Sequence, residues 1–349
     1  MKQLGSIVLA GFVLVGVAQP CLATALQERI NQDGQGLSVA VGGAGIRDMG
    51  RGGVEIEVDI QGPVETAILY WMGRDLDCTL DRDLVCFVPS EPYLDQEMAF
   101  EGTPITGTIV GTESQAPPQP YLSVAYAMNV TDIVRAKVES EGTGLTSFNF
   151  DDDNPALDFT LPDGVGLVVL YTDETNDAHY RVILHEGLDF AFGRADQLPS
   201  AMVTEPVSIS HGAELEARNA EVFIFAGDAA EFCDEITITD TFGGVTVLTD
   251  ELVGADGAAM DTLVVPVLVP EGGGTTTLQL FSPDLPRCVP APDSLLWTLG
   301  GMRLPIEPPA DDEDEDEDSD EDEDEDSDED EDEDGDEDED SDGGMSHRW

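Results

Sequence analysis

Polar and apolar positions alternate with a period of two along much of this chain. Residues 54–60 read Val-Glu-Ile-Glu-Val-Asp-Ile, so every apolar side chain falls on one face of an extended strand. Residues 67–72 are apolar almost without a break and predict a strand buried on both faces. Further strands are predicted at 106–110, 122–128, 166–171, 180–184, 222–226, 236–239, 245–248, 263–269, 275–281 and 295–299, with Gly, Pro, Asn and Asp clusters between them. Only residues 129–138 follow helical spacing. There Val130, Ile133, Val134 and Val138 share a face, Asn129 and Thr131 offer capping groups, and Gly142 and Gly144 stop the turn. Strand after strand with one short helix predicts an all-β fold, a jelly-roll-like β-sandwich with the helix crossing its rim. Gly42-Gly43-Ala44-Gly45 is expected to be a flexible turn, because no lysine or helix follows it as a phosphate loop requires.

The ends of the chain break this pattern. Met1-Lys2, an apolar run over 7–17 and Ala23-Thr24-Ala25 have the form of a signal peptide over 1–25, which implies export. The sandwich domain is then 26–304, followed by a linker over 305–310 in which Pro305, Pro308 and Pro309 favour extended backbone. The tail, 311–349, is Asp/Glu-rich: between 311 and 342 only Ser319, Ser327, Gly335 and Ser341 are not acidic, so 28 of 32 positions are carboxylates. With nothing apolar to bury and with like charges repelling, this tail is expected to be disordered.

Charge and cysteine usage narrow the partners. The other 47 of the 75 acidic residues lie before the tail, and Lys137 is the single lysine between the leader and the tail. Nucleic acid and anionic membranes need a basic face and are disfavoured as partners, and no later segment suggests membrane insertion. Divalent cations and basic proteins are the expected partners of the tail. Without Cys21 of the leader, Cys78, Cys86, Cys233 and Cys288 remain. An even number in an exported chain favours disulfides. Cys78 with Cys86 and Cys233 with Cys288 is one of three pairings that four cysteines allow.

The body resembles a module of exported bacterial surface proteins. The resemblance is carried by Ala67-Ile68-Leu69-Tyr70-Trp71, by Ala127-Met128-Asn129-Val130-Thr131-Asp132-Ile133-Val134 and by Gly164-Val165-Gly166-Leu167-Val168-Val169-Leu170-Tyr171. His185-Glu186-Gly187-Leu188-Asp189 and Asp293-Ser294-Leu295-Leu296-Trp297 complete it. Val165 departs from the tryptophan usual in that module. The resemblance implies a secreted or cell-surface β-sandwich and carries no activity.

Three kinds of chemistry can be weighed. Ca²⁺ takes six to eight oxygen ligands, and three acidic loops supply them by composition: Asp75, Asp77, Asp81 and Asp83; Asp151, Asp152, Asp153 and Asn154; and Asp173 with Asp177, beside Glu174 and Asn176. Ca²⁺ is therefore the candidate cofactor. Glycans are a second candidate partner, through those loops and through Tyr70, Trp71 and Trp297, although aromatics in apolar runs belong first to a core. A hydrolase with a dispersed site could use His179, His185 and His211, but no G-x-S-x-G or H-E-x-x-H motif accompanies them. The sequence thus predicts a non-enzymatic secreted or cell-surface protein whose polyanionic tail binds cations or basic partners.

Overall fold

The computed structural model describes residues 24–46, 53–75, 79–80, 86–87, 96–114, 122–151, 161–191, 202–229, 234–249, 251–257, 260–282 and 294–308. The described chain is all-β with one helix. It begins with β1 (Thr24–Gln35), β2 (Leu37–Gly45), β3 (Val54–Ile60) and β4 (Val64–Asp75). The two-residue strands β5 (Thr79–Leu80) and β6 (Cys86–Phe87) follow, then β7 (Glu97–Phe100), β8 (Thr103–Thr106), β9 (Thr108–Ser114) and β10 (Leu122–Asn129). After helix α1 (Thr131–Glu141) come β11 (Gly144–Asp151), β12 (Leu161–Thr172), β13 (His179–Ala191), β14 (Val207–Ser210) and β15 (Arg218–Gly227). The last strands are β16 (Glu235–Asp240), β17 (Val245–Thr249), β18 (Met260–Val269), β19 (Thr275–Phe281) and β20 (Leu295–Ile306).

Beside the two-stranded β5-β6 sheet, four larger antiparallel sheets form four layers. The first outer sheet has the order β3-β11-β7-β8 and the first inner sheet β2-β12-β4-β10-β9. The second inner sheet is β1-β13-β20-β15-β18 and the second outer sheet β14-β19-β16-β17. Three cores separate these layers. Ile56, Phe148, Leu69 and Trp71 fill the first, with Val134 and Val138 of α1. Ile68, Tyr70, Phe223 and Phe225 fill the middle one. Ile224, Trp297, Ile236 and Leu278 fill the third.

Strand periodicity explains this arrangement. In β4, Ala67, Leu69 and Trp71 enter the first core while Ile68, Tyr70 and Met72 enter the middle one, and all six are buried. An unbroken apolar run is what a strand between two cores requires. In β3 the pattern is Val54, Ile56, Val58 and Ile60 inward and Glu55, Glu57 and Asp59 exposed, as expected for an outer sheet.

Two expectations are corrected. The segment Gly42–Gly45 is no turn: it is the end of β2, paired with β12 from Leu37↔Thr172 to Gly45↔Gly164. Gly42 is needed because β3 crosses so close that a Cβ there would sit 2.2 Å from the Glu57 carbonyl oxygen. The helix does stop at Gly142, which has φ 95°, but Thr131 does not cap it. Its hydroxyl accepts the backbone N–H of Ala67 in β4 at 2.9 Å, and the Asn129 side chain accepts the N–H of Thr131 at 3.1 Å.

Candidate functional site

Strand directions bring the ends of β4, β13 and β15 and the starts of β12, β16, β18 and β20 to one end of the layered body. Several apolar strands terminate there in buried polar side chains. Arg74 is the penultimate residue of β4, Asp163 lies near the start of β12, Asp228 follows β15 and Ser294 precedes β20. Asp228 holds a left-handed backbone (φ 56°) at its turn, a conformation that Asp tolerates better than most residues.

The guanidinium of Arg74 donates to Asp228 Oδ1 at 2.7 Å, to Asp163 Oδ1 at 3.2 Å and to Ser294 Oγ at 3.3 Å. Ser294 Oγ in turn donates to Asp228 Oδ2. All four residues are buried. Gly227 makes the approach possible: a Cβ there would lie 2.5 Å from Met72 Sδ and 3.4 Å from Asp163 Cβ.

Three more aspartates are buried at the same end. Asp189 accepts the N–H of Phe190 at 2.7 Å and that of Glu205 at 2.6 Å, one on each oxygen. Burial still pushes its carboxyl up to about 7, with those two N–H groups opposing the shift. Asp261 accepts the N–H groups of Gly254 and Ala255 at 2.7 and 2.6 Å. Burial raises it to about 6. Asp234 has the fewest partners. Burial raises it to about 7, the Ser282 hydroxyl lowers it and the Asp261 charge raises it further. Asp189 and Asp261 thus fasten the connections preceding β14 and β18 to the second inner sheet.

Of the predicted metal-site residues, the described ones fall at both ends of the layered body. Asp75 ends β4 and Asp151 ends β11, both at this same end, whereas Asp77, Asp81, Asp83, Asp152, Asp153 and Asn154 lie outside the described residues. Asp173 and Asp177 lie at the opposite end, in the β12–β13 turn. There Asp173 Oδ1 accepts the N–H and hydroxyl of Thr175 at 2.9 and 2.6 Å, which holds its carboxyl below the ordinary range. Asn176 is also used within its turn, accepting the Ala178 N–H at 3.1 Å. Among the described residues, no three His, Cys, Asp or Glu side chains converge closely enough to hold a metal ion. Cys86 stands opposite Leu80 in the β5–β6 hairpin, and Cys78, Cys233 and Cys288 lie outside the described residues.

The histidines do not converge. His179 and His185 are six residues apart on β13, about 20 Å along an extended strand. His211 is buried, with Nε2 3.1 Å from Thr276 Oγ1 and Nδ1 3.1 Å from the Gly212 carbonyl oxygen. Tyr70, Trp71 and Trp297 are core residues with 0% exposure and present no face to a glycan. Tyr70 spends its hydroxyl on Glu186 and Trp297 its indole N–H on the Leu299 carbonyl. An open groove of about 550 Å³ lies away from the buried aspartates, between α1 and the β3–β4 and β12–β13 turns. Its cation, Arg135, is spent on the Val64 carbonyl oxygen at 3.1 Å.

Sequence reasoning passed over the Arg74 cluster and the three raised aspartates. Asp163, Asp189, Asp228 and Asp261 are lone acids bordering apolar runs, as in Phe225-Ala226-Gly227-Asp228 and Met260-Asp261. That position, rather than residue type, is the signal that could have marked them.

No protein-family model matches the chain, and no curated protein matches it. Among solved structures it is similar to a peptide-N(4)-(N-acetyl-beta-D-glucosaminyl)asparagine amidase, at 10% identity and a TM-score of 0.23 over 77% of this chain and 96% of that one. PNGase F from Flavobacterium meningosepticum aligns at 10% identity and a TM-score of 0.20, over 79% and 96%. Dimeric latent PorU from Porphyromonas gingivalis aligns at 8% identity and a TM-score of 0.22, over 72% and 24%. Scores this low carry no argument about activity.

Proposed function

We propose that this is a non-enzymatic exported or cell-surface protein, a rigid β body presenting an anionic segment that collects Ca²⁺ or a basic partner. The observation that carries the reading is the run of 28 carboxylates in the 32 positions from 311 to 342. Carboxylates at that density hold a layer of counterions in which divalent ions displace monovalent ones. Each contact is weak, and the sum gives avidity for a multivalent partner. The body supports the reading by contrast. Four of its buried carboxylates are engaged internally, Asp163 and Asp228 with Arg74, Asp189 and Asp261 with backbone N–H groups.

Calorimetry with Ca²⁺ tests it on the full chain and on a chain ending at Ala310. The full chain should take up many ions weakly, with heat that fades as NaCl is added. The shortened chain should take up few. Equal uptake by the two would remove the tail from the function.

A further inference from the structure

We propose that the free edge of the second outer sheet, strand β17, pairs with β17 of a second copy of this chain. Outer strands expose unpaired backbone N–H and C=O groups, and natural sheets guard them with charge, proline or cover. Here β1 carries Glu28, Arg29 and Asp33, and β3 carries Glu55, Glu57 and Asp59. Pro104 stands in β8, Pro266 in β18, and Pro206 directly precedes β14. Strand β17 reads Val-Thr-Val-Leu-Thr, with no charge, no proline and no glycine, and among the described residues it pairs only with β16. Its outward side chains Val245 and Val247 are 58% and 50% exposed, and Phe242 in the turn before it is 66% exposed.

The charge pattern selects the occupant. With 47 acidic residues before the tail and a single lysine between leader and tail, two copies meeting elsewhere bring carboxylates together. A basic partner is drawn to that acidic surface and gains nothing from an uncharged strip. A strand without carboxylates fits, and the chain's own β17 is one. Antiparallel pairing about Val247 sets Val247 opposite Val247 and Val245 opposite Thr249, the self-complementary arrangement of a two-fold axis. β-Branched residues facing one another across strands are a favourable pairing. Two four-stranded sheets then join into one of eight strands.

Sedimentation velocity on the full chain tests this at concentrations up to about 100 μM, in about 0.1 M and about 1 M NaCl, where the screening length falls from about 10 to about 3 Å. The expected result is a monomer in low salt and a doubled mass in high salt. Val247→Asp and Val245→Asp should each abolish the doubling while melting like the parent. Leu145→Asp, at a 70% exposed position on β11, should leave the doubling intact. A monomer at every salt concentration overturns the proposal and leaves the edge to a foreign strand. A dimer that survives Val247→Asp, or one that Leu145→Asp also abolishes, overturns it equally.

Discussion

Arg74 is one cation serving two buried aspartates. Removing its guanidinium takes a buried, charge-assisted partner from both Asp163 and Asp228. Arg74→Ala is therefore expected to cost about 3–5 kcal/mol in urea unfolding, as breaking a buried ion pair does. Asp189, Asp234 and Asp261 act on stability through pH. Their folded values of about 7, about 7 and about 6 stand above the ordinary unfolded value of about 3.9. Between those limits the folded chain holds protons that the unfolded chain has lost, so stability falls as pH rises from about 4 to about 7, by up to about 1.4 kcal/mol per pH unit for each group. The full cost is in place above that window. Thermal melting should show a higher midpoint at pH 5.5 than at pH 8. Asp234→Asn, which removes one buried charge, should raise the midpoint at pH 8, match the parent near pH 4 and flatten the slope between. These residues were hard to find in the sequence because they are chemically the same as dozens of solvated acids around them. What distinguishes them is where their strands end.

At the scale of elements, clean alternation was the most legible signal. Val54–Ile60 and Thr275–Phe281 match predicted strands over their whole length. β1 escaped notice because Thr24–Gln35 is largely polar, an outer strand shaped by its pairing with β13 rather than by its own apolar face. β2 was hidden by glycines that serve a close sheet crossing. The helix was visible from its spacing, but the role of Thr131 was not, since its partner Ala67 lies 64 positions away. Thr131→Val keeps the shape and removes the acceptor, leaving a buried N–H unpaired. A loss of about 1–3 kcal/mol in chemical unfolding is expected.

At the scale of the molecule, the sequence announced an all-β body through its strands, and the two-sided burial of residues 67–72 was the one trace of the layers beyond a single pair. Which sheets face each other depends on contacts between residues far apart in the chain, such as Arg74 with Ser294, and no local pattern encodes them. One consequence concerns how the body is held. The chain leaves it from β20, which is not an outer strand: it is paired with β13 from Ala191↔Leu295 to His179↔Ile306 and with β15 on its other side. A pull applied to the end of β20 along the strand would meet both ladders in shear, so their bonds would break together rather than unzip one by one. A strand laddered on both sides withstands such a load better than an edge strand would.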